Sequence, residues 1–177
     1  MKAIGIFCSA ASDIDSMFFG AAREVGTWMA REGITLVYGG VAMGLMEAVA
    51  RAVKDGGGHI VGIVPNRLAG RGIQSRLPDE TLLCDTLAER KQLMVERSDL
   101  LVALPGGIGT LDEVFHTIGG ATIGEHRKRV VLYNVGGFWD DCLAMLRRMN
   151  SRGFIRGSLD DYLTAVTSID ELAAIKV

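Results

Sequence analysis

The segment PGGIGT (105–110) and two charged residues near it, Arg90 and Glu113, are the parts of this sequence whose types and spacing can do chemistry. Gly106, Gly107 and Gly109 let the chain turn sharply and bring several amide N–H groups toward one point. With a helix following, those amides and the positive helix end make an anion site, most naturally for a phosphate, to which Thr110 can add its hydroxyl. A tight turn with no ligand is the plainer alternative. The segment contains no GKT or GKS, which excludes the loop of P-loop nucleoside triphosphatases. Without that lysine or an evident magnesium ligand, a bound phosphate is a handle and not a transferred group.

In the helix expected from about Thr110, the residues Leu111, Val114, Phe115 and Ile118 form the buried stripe. Glu113 stands beside them in the first turn, near the expected phosphate. Two roles compete there: a carboxylate acting on the ligand, or the end of a capping box Thr110-x-x-Glu113 that only bonds the backbone at Thr110. Arg90 shares a helix face with Leu87, Lys91 and Met94 at spacings of three and four, so its charge lies within an apolar stripe. It needs a partner, unless its stem lies on the core and its head reaches water. Glu89, Glu96 and Arg97 read as a solvated, salt-bridged face.

These residues must be positioned by a repeated strand–helix pattern. Ala3 to Cys8 is a short apolar run suited to a strand covered on both faces, and Ile14, Met17, Phe18, Ala21, Ala22, Val25, Trp28 and Met29 follow at helical spacing. Ser12 or Asp13 is the expected cap and Gly33 the stop. The alternation continues with ITLVY (34–38), a helix over about 43–54, HIVGIV (59–64), a loop to about 80, TLLC (81–84) and a helix over about 86–97. Then come LLVAL (100–104), the helix from about Thr110, RVVLYN (129–134), a helix over about 138–150, LTAVT (163–167) and a short terminal helix. Such a pattern predicts an α/β fold, Rossmann-like and doubly wound, with a mainly parallel sheet and helices on both faces. Ligands of such sheets bind beyond the strand carboxyl ends, where strand order reverses. The first strand–helix turn, CSAASDID, lacks GxGxxG, which disfavours a nicotinamide or flavin enzyme. The glycines gather instead in YGGVAMGLM (38–46) and PGGIGT.

Composition narrows the classes. The 177 residues fit one domain, taken as 1–177, and 19 basic against 21 acidic residues give a net charge of -2, which offers no field for a nucleic acid polymer. No uncharged run is long enough for a membrane helix. Cys8, Cys84 and Cys142 are far apart and odd in number, so neither a disulfide framework nor a zinc site is written, and a reducing cytoplasm fits. MKAIGIFCSAAS imitates a signal peptide but leads straight into a helical pattern without a small-residue cleavage site, and reads as a strand. His59, His116 and His126 form no metal triad, GEHRKR (124–129) reads as a solvated loop, and the methionines read mostly as core filler, with Met43 able to touch a base.

RKQLM (90–94) followed by SDLLVALPGGIGTLDE (98–113) resembles the ERKxxM and PGGxGTxxE signature of the LOG family, the cytokinin riboside 5′-monophosphate phosphoribohydrolases once labelled lysine decarboxylases. YGG (38–40), GLM (44–46) and GIVP (62–65) match in the same order, over roughly residues 3–166. The resemblance implies a Rossmann-like homodimer that hydrolyses the N-glycosidic bond of a nucleoside 5′-monophosphate to free base and ribose 5-phosphate, and no metal or other cofactor is expected. It implies Arg90 and Glu113 as the catalytic pair, and Gly106, Gly107, Gly109 and Thr110 as the phosphate loop. Gly39, Gly40 and Met94 are implied beside the substrate.

The chain also departs from the pattern. YGGGxxGLMG becomes YGGVAMGLME, with Val41 and Glu47 at glycine positions; if residue 41 needed positive φ, valine would be strained there. Leu87 and Ala88 replace a methionine and histidine, and Gly120, Ala121 and Thr122 stand where many relatives have Trp-Ala-Gln, near the base pocket or the dimer contact. A pyridoxal-phosphate decarboxylase needs a Schiff-base lysine and a larger scaffold, and is rejected. A nucleotide or molybdenum-cofactor carrier of the same fold is the rival, since such a domain can keep the phosphate loop without the chemistry. A purely structural dimer leaves two glycine loops unexplained.

Overall fold

The computed structural model describes residues 1–68 and 72–176. Seven strands form one sheet: β1 (Ala3–Phe7), β2 (Thr35–Tyr38), β3 (Ile60–Pro65), β4 (Glu80–Cys84), β5 (Leu100–Ala103), β6 (Val130–Tyr133) and β7 (Leu163–Val166). The helices are α1 (Ser16–Arg31), α2 (Gly44–Asp55), α3 (Leu87–Glu96), α4 (Ile108–Ile123), α5 (Asp140–Ser151) and α6 (Ile169–Ala173). The strand order is β4-β3-β2-β1-β5-β6-β7, and every pairing is parallel. The expected doubly wound α/β fold is therefore present, with a sheet wholly rather than mainly parallel.

Alternation along each strand divides the core into two layers. Ile4, Ile6, Leu36 and Tyr38 face one layer with Val25 of α1, Val49 of α2 and Leu172 of α6. Phe7, Val37, Leu101 and Leu132 face the other with Met94 of α3, Val114 of α4 and Leu143 of α5. Both faces are thus covered, which is why the strands read as unbroken apolar runs.

Chain direction across the sheet reverses between β1 and β5, and three loops meet at that edge. The Ser9 amide donates to the Pro105 carbonyl at 3.2 Å, and the Ser9 carbonyl accepts from the Leu45 amide at 2.9 Å. The segment after β1 is therefore bolted to both glycine loops. Gly44 makes the second bolt possible: its φ is +55°, and a Cβ there would fall 2.5 Å from the Ala10 carbonyl carbon.

Several expected boundaries move. Helix α1 starts after Asp15, whose carboxylate accepts from the Met17 amide at 2.9 Å, so neither Ser12 nor Asp13 is the cap. Helix α4 begins at Ile108, with Gly107 as its cap residue, not at Thr110. Val41 is not strained, since the left-handed positions of its loop fall on Gly40 and Gly44, and Val41 forms an antiparallel bridge with Gln74. Of the loop expected up to about residue 80, residues 69–71 lie outside the described residues. The basic loop 124–129 is not merely solvated: Lys128 donates to the Ser98 carbonyl at 2.6 Å and Arg129 to the Asp160 carbonyl at 3.0 Å, tying β6 to its surroundings. Among the described residues no helix is long and apolar enough to cross a membrane.

Candidate active site

A cavity of about 350 Å³ opens at the carboxyl edge of the sheet where β1 and β5 diverge. Its lining combines Cys8, Ser9 and Ala10 after β1, Met46 of α2, Leu87, Arg90 and Lys91 of α3, and Gly107, Gly109, Thr110, Asp112 and Glu113 on and before α4. This is the place the switch-point rule assigns to a ligand.

The start of α4 is an uncapped helix end. Gly107 has no side chain to accept from the first amides, and the first helical bond runs from Leu111 back to the Gly107 carbonyl. The amides of Ile108, Gly109 and Thr110 therefore lack intrahelical acceptors and carry the positive end of the helix dipole. Gly107, Gly109 and Thr110 all line the cavity, whereas Gly106 underlies Thr110 and faces a neighbouring apolar pocket with Phe18 and Phe138.

The corrected start of α4 also removes one of the two readings of Glu113. Thr110 is the third residue of the helix and not its cap, so no capping box forms. The Glu113 carboxylate instead accepts from Nη1 of Arg90 at 2.9 Å, and the two side chains are only 6% and 12% exposed. The Arg90 head does not escape to water. Its Nε donates to the Ile63 carbonyl at 3.2 Å, and its guanidinium lies against Gly39, where any Cβ would overlap it. That close approach explains why glycine occupies position 39.

Burial pushes the Glu113 carboxyl up from 4.5 to about 7, because desolvation outweighs the pull of the Arg90 charge and hydrogen bond. Beside the pair, Lys91 reaches both Asp112 carboxylate oxygens at 2.8 Å. Cys8 sits next to Glu113 and Arg90, and burial with the nearby Glu113 carboxylate drives its thiol far above the usual range. It stays protonated, which makes it a wall and not a nucleophile.

Arg90, Glu113, Gly107, Gly109 and Thr110 thus converge on one cavity. Gly39 and Gly40 do not line it; Gly39 backs the Arg90 side chain, and Gly40 packs against Val64. Met94 does not line it either. It is fully buried in the core layer with Val37, Ile63 and Val114, because it lies farther along α3 than Leu87, Arg90 and Lys91, where the helix packs on the sheet. Met43 is exposed at the start of α2, and Met46 takes the place at the cavity. Gly120, Ala121 and Thr122 lie in the last turns of α4, away from the cavity, with Thr122 in a groove against α5. Sequence reasoning missed Cys8, Ser9 and Ala10; the signal was their place directly after the first strand, set aside for lack of GxGxxG.

Comparison with known proteins identifies a family. The family described as "Possible lysine decarboxylase" matches residues 46–175. The cytokinin riboside 5′-monophosphate phosphoribohydrolase of Mycobacterium tuberculosis (strain ATCC 25618 / H37Rv) is 36% identical over 168 residues, 95% of this chain and 89% of that protein. This chain belongs to the LOG family. A probable cytokinin riboside 5′-monophosphate phosphoribohydrolase of Oryza sativa subsp. japonica is 40% identical over 154 residues, 87% of this chain and 68% of its own length. Among solved structures, the molybdenum cofactor carrier protein of Chlamydomonas reinhardtii superposes with a TM-score of 0.72 at 20% identity, covering 98% of this chain and 94% of that one. That likeness shows a shared fold.

The raised carboxyl of Glu113 has a consequence for stability. Between about pH 4.5 and 7 the folded protein holds a proton at Glu113 that the unfolded chain has lost. The stabilising contribution is complete below about 4.5 and is lost as pH rises through about 7. Glu113→Gln cannot ionise, so the native protein should lose stability relative to this variant between pH 5 and pH 8. Urea unfolding at both pH values reads the difference; a gap between the two proteins that is the same at both contradicts the raised carboxyl.

Proposed function

We propose that this chain, acting as one domain, hydrolyses the N-glycosidic bond of a nucleoside 5′-monophosphate, AMP or an N6-modified AMP, to free base and ribose 5-phosphate. The observation that carries the reading is the buried Arg90–Glu113 pair on the wall of a cavity whose other wall is an uncapped helix start. The relatives' names supply the substrate class. A buried ion pair is a poor stabilising device, since desolving both charges costs as much as their attraction returns. Its retention inside a ligand-sized cavity is better explained by use.

In this reading the 5′-phosphate sits on the amides of residues 108–110 with the Thr110 hydroxyl, and the sugar extends toward Glu113. Breaking the C1′–N bond builds positive charge on the sugar ring, which an ionised Glu113 stabilises while holding ribose hydroxyls and orienting water. The water oxygen bonds to C1′, its proton is released, and the bonding electrons leave with the base, which takes up a proton. Arg90 keeps Glu113 charged and in place, and its remaining donors face either the phosphate or the departing base. No metal or other cofactor enters these steps.

A second copy of the chain is proposed to cover the groove of about 530 Å³ between α4 and α5. Ile123 and Phe154 there are 69% and 79% exposed, beside Met145 and Met149, an apolar cluster that one chain leaves in water. Three free cysteines, two of them buried, fit a reducing cytoplasm. Light scattering should give twice the 19.0 kDa chain mass. Phe154→Asp should halve that mass, and a native protein that runs as a single chain rejects the dimer.

The activity is tested by incubating AMP and N6-prenylated AMP with the protein in EDTA and following base release by chromatography. Release should persist in EDTA, and adenosine, which lacks the phosphate handle, should react far more slowly. Loss of turnover in EDTA contradicts the mechanism. Binding of the monophosphates without base release supports the carrier.

A further inference from the structure

Glu47 lies outside the cavity, yet it heads a chain of contacts that ends on Arg90. One carboxylate oxygen accepts from the Ser75 hydroxyl at 2.8 Å, and the other accepts from Arg51 at 2.7 Å. Ser75 is only 3% exposed, and its hydroxyl also accepts from the Leu77 amide at 3.3 Å. Its own amide donates to the Gly40 carbonyl at 2.9 Å. On either side of that bond the Ala42 amide donates to the Ile73 carbonyl at 2.8 Å, and Val41 bridges Gln74. Residues 40–42 and 73–75 thus form a short antiparallel ribbon with Ser75 at its buried end.

The ribbon backs the turn that confines Arg90. Gly39 is in contact with the guanidinium, and Gly40 is wedged on its far side against Val64. Arg90 is otherwise held by the Ile63 carbonyl and by Glu113. A long, flexible side chain keeps a single geometry only where its surroundings leave no alternative. Gly39 is the first residue after β2 and meets the guanidinium through bare backbone, and the hydrogen bond from the Ser75 amide fixes the carbonyl of the residue that follows it.

We propose that Glu47, acting through Ser75 and the Gly39–Gly40 turn, positions Arg90 for its contact with Glu113. It is a positioning residue, since neither Glu47 nor Ser75 touches the cavity. Without the carboxylate, the buried Ser75 hydroxyl loses its acceptor, the ribbon slackens, and the guanidinium gains room away from Glu113. The departures at positions 41 and 47 then belong together: Val41 extends the ribbon and Glu47 anchors it.

The consequence can be read at Glu113 itself. That carboxylate is faced by Arg90 and Lys91 from α3, by Asp112 of its own helix and by the Cys8 thiol after β1. Of these groups, Arg90 is the one packed on the Gly39 turn. Slackening the turn therefore weakens the Arg90 attraction alone and raises the pH at which Glu113 ionises.

The inference rests on Arg90 and Glu113 being the reacting pair, so the test has one arm that needs no turnover. The Glu113 carboxyl carbon is titrated by ¹³C NMR, and kcat and KM for AMP are measured, in Glu47→Ala, Ser75→Ala and Glu47→Gln. Glu47→Ala and Ser75→Ala should each move the titration upward by about half a pH unit or more. Each should also lower kcat at pH 7 by about 5–10-fold, with KM changed by less than about twofold. Glu47→Gln still offers an oxygen to Ser75 and should restore both readings. Combining Glu47→Ala with Ser75→Ala should do no more than the worse single change. If Glu47→Ala does not fold, Ser75→Ala, which removes one oxygen atom, decides alone. A lowered Tm with the Glu113 titration unmoved overturns the proposal in favour of a merely structural tie. A native protein that releases no base would strike the proposed activity while the titration still reads the positioning.

Discussion

The pairing of Arg90 with Glu113 is the constraint around which the other features of the site are arranged. Two opposite charges are largely removed from water and set 2.9 Å apart on the wall of the cavity. Losing one member of such a pair leaves the other buried and uncompensated, at a cost of about 3–5 kcal/mol. The protein must therefore fix both stems. Arg90 leaves an apolar helix face, passes the Ile63 carbonyl and lies on Gly39; Glu113 rises from a helix whose start is set by three glycines. The result is a carboxylate whose ionisation is finely balanced near neutral pH, since burial and the cation pull in opposite directions.

The sheet supplies the position, and the loops supply the chemistry. Reversal of strand order between β1 and β5 opens a crevice that an all-parallel sheet leaves at its carboxyl edge. Ser9 then joins the two glycine loops across that crevice through its backbone, so both respond to the same short segment. Helix α4 carries an uncapped amide end and a carboxylate on the same cavity. In the proposed reaction a phosphate there and a positive sugar carbon beside Glu113 would make opposite demands on charge, met by amides on one side and a side chain on the other.

Strand–helix alternation was legible because buried parallel strands are short apolar runs and the covering helices keep a one-sided stripe. Boundaries were less legible where glycine governs. The helix after PGGIGT starts at Ile108, three residues earlier than a Thr110 cap suggests, with Gly107 at the cap position and no side-chain cap. That shift is what removes the capping role from Glu113. Periodicity put Leu87, Arg90, Lys91 and Met94 on one face, but it does not say how far along the helix the cavity extends, and only the residues of the first turns arrive there. Cys8, Ser9 and Ala10 were hidden for another reason: they act through place and backbone, and no side-chain motif marks them. Val41 looked strained only on the assumption that the left-handed residue of its loop stays in register, and it does not.

The most direct measurement of the central claim is the crystal structure of Glu113→Gln protein soaked with AMP. The account predicts phosphate oxygens within hydrogen-bond distance of the amides of residues 108–110, C1′ facing the residue 113 side chain, and Arg90 still against Gly39. A phosphate bound elsewhere, or a ribose turned so that C1′ points away from residue 113, would contradict it.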